Sequence, residues 1–153
     1  MMDTNEVRVR KACAEDLDAV KALADANKSA LGFVLRPALA AGIQRGWLLV
    51  AEQAGQVIGF IHYRHRQDSR TTLHEICVDE TWRGNGVGRL LVQALAAESE
   101  ALGKLCIRLK SPADLPANEF YRQMGFTLVG VEQGKRRRLN VWETRVVDGR
   151  NVT

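Results

Sequence analysis

A mixed α/β fold, with a mainly antiparallel sheet and one parallel crossover, is predicted by three observations. Trp47 to Glu52 and Val57 to Arg66 are β-rich runs separated only by Gln53-Ala54-Gly55-Gln56, and Gln67-Asp68-Ser69-Arg70 leads into a third run, Thr71 to Asp79. Strands joined by turns this short form an antiparallel meander. The third run then hands over to a long amphipathic helix and a further strand, Leu105 to Lys110, and a strand, helix, strand order makes a right-handed parallel crossover. Finally, 153 residues that are 46% hydrophobic can bury one core but are too few for two typical domains, so residues 1–153 are read as a single domain.

The elements follow in order. Val7 to Lys11 alternates as a strand, and Leu17, Val20, Leu23 and Ala24 recur at helical spacing after the acidic start Ala14-Glu15-Asp16. Asn27 to Phe33 reads as a loop; Pro37 suits the first turn of a helix running to Arg45, with Gly46 as its stop. The long helix, Gly86 to Leu102, carries Val87, Leu90, Leu91, Ala94, Leu95, Ala101 and Leu102 on one stripe, with Glu98 and Glu100 off it, and Gly103 ends it. Ser111-Pro112 stops the next strand. A last helix spans Pro116 to Met124, and Phe126 to Val131 with Leu139 to Val146 supply two final strands.

Composition narrows the function classes. No apolar run reaches 18 residues and the N-terminus is charged, so neither a membrane span nor a signal peptide is expected, and a cytoplasmic location is. Cys13, Cys77 and Cys106 are odd in number and far apart, which fits reduced thiols better than a disulfide framework. His62 and His65 point to opposite faces of an extended strand, so no metal site is expected. The net charge of +4 suits an anionic partner without requiring nucleic acid. Lys135-Arg136-Arg137-Arg138, the one dense basic run, reads first as a solvated turn and second as a nucleic-acid or acidic-substrate patch.

The chemistry concentrates in Arg83-Gly84-Asn85-Gly86-Val87-Gly88, where a strand becomes a helix. Glycines there bare backbone N–H groups at the positive end of a helix dipole, a setting for phosphate. Gly88 is followed by Arg89-Leu90, so the lysine and hydroxyl of a P-loop are missing; neither Gly84 nor Gly86 begins a GxGxxG, since Arg89 and Leu91 fall at the sixth place. The pattern that fits is Arg-x-x-Gly-x-Gly at Arg83, Gly86 and Gly88. It resembles the acyl-CoA pyrophosphate loop of the GNAT superfamily of N-acetyltransferases. Phe120-Tyr121-x-x-Met124-Gly125-Phe126 resembles that family's FY-x-x-hydrophobic-GF signature, and the element order over Val7 to Val147 is similar throughout.

The resemblance implies a central sheet with helices on both faces and a splayed parallel strand pair that binds CoA. It implies backbone contacts to the cosubstrate acetyl-CoA from Ile76, Cys77 and Val78, and a pyrophosphate held by Gly84, Asn85, Gly86, Val87, Gly88 and Arg89 with Arg83 and Arg89 as charged support. Tyr121 stands where the family places a general acid for the departing thiolate. Glu75 is the first choice for the base that takes the amine proton, with His74 the second. Many members place a CoA-contacting asparagine seven residues before the tyrosine; here that position is Asp114, and Asn118 one turn later either inherits the contact or caps its helix. The implied reaction is direct attack of a primary amine on acetyl-CoA in a ternary complex. Acyl transfer to aminoacyl-tRNA and a non-catalytic acyl-CoA-binding module stay open as alternatives, as does a homodimer, while nucleic acid and membrane are not expected as partners.

Overall fold

Seven strands pair in the order β1-β2-β3-β4-β5-β7-β6 in the computed structural model, which describes residues 6–146. Val147 and the ends of the predicted domain, residues 1–5 and 147–153, lie outside the described residues. The strands are β1 (Arg8–Lys11), β2 (Leu48–Gln53), β3 (Gln56–His65), β4 (Arg70–Val78), β5 (Cys106–Pro112), β6 (Thr127–Gln133) and β7 (Arg138–Arg145). The helices are α1 (Leu17–Ala26), α2 (Lys28–Leu31), α3 (Arg36–Arg45), α4 (Val87–Ala101) and α5 (Ala117–Gln123). The predicted meander is β2-β3-β4, and the predicted crossover joins β4 to β5 through α4 in a parallel pair. Every other ladder with a defined register is antiparallel.

The chain divides into two compact units, residues up to 64 with 75–95, and 65–74 with the residues from 96 onward. In the first unit, Val20 and Ala24 of α1 and Leu39 of α3 cluster with Val50, Phe60 and Cys77. Gly59, next to Phe60 and therefore on the other face of β3, looks toward α4: a Cβ there would stand 3.0 Å from the Cys77 carbonyl and 3.4 Å from Val87 and Leu91 side chains. Helices thus cover both faces of these strands, and the missing side chain at Gly59 lets the start of α4 lie close. Val87, Leu91, Val92 and Leu95 are essentially fully buried, each contributing roughly 1.5–3 kcal/mol by leaving water.

The second unit has its core at Ile107, Leu109, Tyr121, Met124, Phe126 and Trp142. Its β5 and β7 run antiparallel with Arg108 opposite Glu143 and Leu109 opposite Trp142.

Three expectations need correction. The predicted loop Asn27 to Phe33 contains the single-turn helix α2, closed by Gly32 at φ 72°. The buried stripe of α4 runs through Val92, Ala96 and Ser99, whereas Ala101 and Leu102 are exposed; the 100° step per residue carries Ala101 off the packed face, and Leu102 lies in the turn beyond the last residue of α4. Glu98, expected off the stripe, accepts from His65 Nε2 at 2.7 Å, while His65 Nδ1 meets Thr71 Oγ1 at 2.8 Å and Thr71 meets Ser99 at 3.0 Å. Glu98 and Ser99, three and four residues after Leu95, thus continue the packed face of α4 with polar contacts.

Candidate active site

The loop from β4 to α4 is held largely by its own residues. Asp79 accepts from the Thr81 amide at 2.9 Å and its hydroxyl at 2.7 Å, fixing the single turn Glu80–Trp82. Gly84 and Gly86 then adopt φ 78° and 84°, left-handed values that strain any other residue, and a Cβ built on either meets nothing within 4 Å. Glycine here therefore serves conformation and open approach, not packing. Asn85 closes the turn by donating to the carbonyls of Trp82 and Arg83 at 3.2 and 3.1 Å. The first bond at the start of α4 runs from Leu90 N–H to Gly86 C=O, so the N–H groups of Val87, Gly88 and Arg89 precede it and project from the helix's positive end. Arg83 folds back, donating from Nε to the Val78 carbonyl at 3.2 Å and from its other end to Asn27. That guanidinium ties the loop to the α1–α2 junction.

Of the strand leading into the loop, Cys77 is buried and its thiol is pushed up to about 11 by desolvation. The Cys13 thiol is also raised, first through hydrogen bonding to Glu15, and the Cys106 thiol by burial. None of the three is poised as a thiolate nucleophile. The parallel ladder between β4 and β5 comprises Arg70–Thr72 against Cys106–Arg108, and among the described residues it extends no further, which leaves Ile76 to Val78 past its end.

Glu75 is mostly enclosed, and its Oε1 lies 3.2 Å from His62 Nδ1. His62 is 8% exposed and sits under α3: a Cβ on Gly42 would fall 2.6 Å from its Nε2. Glycine at 42 thus admits the imidazole, and the imidazole holds the carboxylate. His74, the second choice for the base, is exposed.

In the second unit Tyr121 is buried, its ring edge-on to Phe120 at 5.5 Å and Phe126 at 5.8 Å and tilted against Trp142 at 6.5 Å. Asn118 is also buried. Its amide donates to the Pro112 and Leu115 carbonyls, both at 2.8 Å, and its oxygen accepts from Trp142 Nε1 at 2.8 Å and Asn140 at 3.2 Å. An asparagine side chain has two donors and two acceptor sites, and all four are engaged. Asn118 is therefore a clasp between the β5–α5 turn, β7 and the Trp142 ring. Asp114 is exposed and lies 3.6 Å from Arg137.

Sequence reasoning missed the partnership of His62 with Glu75, the space made by Gly42 and Gly59, and the clasp. A glycine inside a predicted helix and another inside a predicted strand were the only available signals, each marking a close approach without naming what approaches.

The fold and this loop define a class. The sequence profile of the acetyltransferase (GNAT) domain matches residues 44–128, and the chain belongs to that family. It is an N-acetyltransferase. A 5-NmdU N-acetyltransferase of Pseudomonas phage PaMx11 is 28% identical over 129 residues, covering 82% of this chain and 91% of the phage protein. Among solved structures, Ard1 from Thermoplasma volcanium superposes with a TM-score of 0.83 at 21% identity, covering 93% of this chain and 99% of that one. The PaiA N-acetyltransferase from Thermoplasma acidophilum, in complex with coenzyme A, gives 0.78 at 19% identity, covering 91% and 98%.

Proposed function

We propose that the chain moves an acetyl group from acetyl-CoA onto a primary amine by direct attack in a ternary complex. The observation that carries this reading is the start of α4, where two left-handed glycines leave N–H groups open toward an incoming phosphate. Acetyl-CoA supplies the activated acyl group and the thiolate that leaves. The amides from Gly84 to Arg89 hold its pyrophosphate, Arg89 adds charge, and Arg83 acts by pinning the loop. Ile76 to Val78 offer backbone groups past the end of the β5 ladder.

Two proton movements complete the reaction. An amine with a lysine-like pKa of about 10.4 is protonated at neutral pH, so a base must receive its proton before or during attack. We assign this to Glu75, oriented by His62. Tyr121 gives its phenolic proton, with a reference pKa near 10, to the thiolate. With all three thiols raised, an acetyl-cysteine route is disfavoured. The hydrogen bonding of Asn118 supports a role in placing Trp142 beside Tyr121 in preference to a CoA contact. Among the described residues no helix is long and apolar enough to cross a membrane, and free thiols support a cytoplasmic setting.

The test is thiol release from acetyl-CoA against a panel of small amines, peptides and 5-NmdU, the acceptor in the phage relative's name. Tyr121→Phe should retain acetyl-CoA affinity and lose about 10²–10⁴-fold in turnover; a rate within twofold of the parent returns Tyr121 to packing alone. Glu75→Gln and His62→Gln should both displace the limb of the pH–rate profile that reports the base. A profile unmoved by either substitution transfers the role to His74 or to a water chain.

A further inference from the structure

The second unit carries a groove of about 480 Å³, whose polar wall includes Arg66, Arg70, Thr72, Arg108, Lys110 and Glu132. It opens where the β4–β5 ladder ends, at the pair Thr72 and Arg108. Alternation puts Arg70, Thr72 and His74 on one face of β4, and Arg108 and Lys110 on one face of β5. The opposite face is the one that packs, through Thr71 on Ser99 and through buried Ile107 and Leu109.

Three guanidinium groups and an ammonium therefore converge on a concavity whose apolar lining, among the described residues, is Leu73 and Leu109. The carboxylates nearby are paired but replaceable: Asp68 to Arg70 at 3.5 Å, Glu132 to Lys110 at 2.9 Å and Glu143 to Arg108 at 2.7 Å, all on partly exposed side chains. Such pairs hold weakly in water. Arg66 donates from Nε to Thr72 Oγ1 at 3.0 Å and forms no ion pair among the described residues. Several planar forks around a polar hollow match a tetrahedral dianion or a phosphodiester better than an apolar or cationic ligand.

We infer that this groove receives a phosphate of the amine acceptor, so that the acceptor is a phosphorylated molecule: an amine carried on a nucleic acid, or a small amine bearing a phosphate ester. The inference rests on the amine-acetylation reading above, which it extends to a substrate class. Arg66 and Lys110 make the phosphate contacts, and Arg70 and Arg108 exchange part of their carboxylate pairing for it.

Two measurements test it. In the first, anisotropy of a short fluorescein-labelled oligothymidylate is followed without acetyl-CoA for the parent, for Arg66→Gln with Lys110→Gln, and for the control Lys21→Gln. In the second, O-phosphoethanolamine and ethanolamine are compared as acceptors. Nucleic acid as the source predicts oligonucleotide binding weakened about tenfold in the double variant, with a salt slope smaller by roughly 0.7 for each phosphate no longer neutralised, and the control unchanged. A small phosphorylated amine as the source predicts kcat/KM about tenfold higher for O-phosphoethanolamine than for ethanolamine, an advantage the double variant abolishes while kcat on ethanolamine stays the same. Either result supports the groove. Acetylation of amines with no phosphate preference and no oligonucleotide binding would overturn it and leave the acetyltransfer reading standing. Displacement of the oligonucleotide by polyglutamate as readily as by unlabelled oligonucleotide would also overturn it, as generic anion attraction. Oligonucleotide binding lost in the double variant of a protein that acetylates no amine would instead refute the acetyltransfer reading and keep the phosphate site.

Discussion

The two anion sites proposed for this chain are built in different ways, one in each of its two units. In the first, the Arg83–Gly88 loop offers backbone N–H groups, and its shape comes from residues adjacent in sequence. In the second, the groove of Arg66, Arg70, Arg108 and Lys110 is made of side chains from the β3–β4 turn, β4 and β5, brought together by strand register. Charge follows the same division. Segments 1–64 and 75–95 hold 10 Lys+Arg against 10 Asp+Glu, whereas 65–74 and 96–153 hold 12 against 8, so the entire net charge of +4 belongs to the second unit. A site made of backbone dipoles needs no excess cations; a site made of side chains does.

The largest expected effect breaks the first kind of site without touching the second. Gly86→Asp imposes a side chain at φ 84° and adds a carboxylate where the N–H groups face outward. It should cost at least about 100-fold in CoA affinity, or roughly 2.7 kcal/mol, while the open space around the position keeps the fold intact. Lys110→Glu, the same sign of charge change made in the groove, should leave CoA affinity within twofold. Calorimetric titration of both variants with CoA checks the pair, and equal losses would dissolve the distinction between the two sites.

An intermediate effect concerns where the first unit's charges go. Arg10 clasps Asp16 through both terminal guanidinium nitrogens, at 2.8 and 3.0 Å, and its Nε reaches Glu52 at 3.1 Å, which Arg8 also meets at 2.7 Å. The Arg10 side-chain bond, with the Cys13 amide also donating, holds the Asp16 carboxyl at about 2, below its ordinary 3.8. A depressed carboxylate stabilises the folded state above the unfolded pKa, and that contribution is lost as pH falls from about 3.8 through about 2. Asp16→Asn should therefore destabilise by roughly 2 kcal/mol at pH 7, with the difference from the parent shrinking toward pH 2. Urea unfolding at several pH values measures it; a difference that does not vary with pH would assign the loss to packing instead.

This contrast also explains what the sequence disclosed. The loop was legible because turn chemistry, glycine placement and helix onset are all local, and the family motif spans six consecutive residues. The meander and the crossover were legible for the same reason, since short turns and a strand, helix, strand order restrict topology before any packing is known. The groove was not, because Thr72 and Arg108 are 36 positions apart and become neighbours only through the register of a parallel ladder. His62 stayed hidden similarly: its partner Glu75 is on the next strand, and the space it occupies is defined by Gly42 on a helix. Asn118 was recognised as a polar residue with a task, but the bonds its oxygen accepts required knowing that Trp142 and Asn140 lie beside it.

The smallest expected effect separates the groove from the basic run that the sequence displays most openly. Lys135 to Arg137 lie in the β6–β7 turn, closed by Gly134 N–H donating to the Arg137 carbonyl at 2.9 Å, Arg138 begins β7, and all four side chains are exposed. Gly134 has no room for a Cβ, which would lie 2.7 Å from that carbonyl, so the turn's shape depends on the glycine and not on the cations. Arg137 is near Asp114 at 3.6 Å, an exposed pair of little energetic weight. Replacing Arg136, Arg137 and Arg138 together with glutamine should change stability by less than about 0.5 kcal/mol and leave small-amine acetylation unaltered. Oligonucleotide affinity should fall by no more than about threefold through the loss of long-range attraction, because cations on a convex turn track no phosphate backbone and the aromatic platforms that hold single strands are absent from this run. A tenfold loss in the triple variant, measured beside Arg66→Gln with Lys110→Gln, would extend the phosphate site from the groove to the turn.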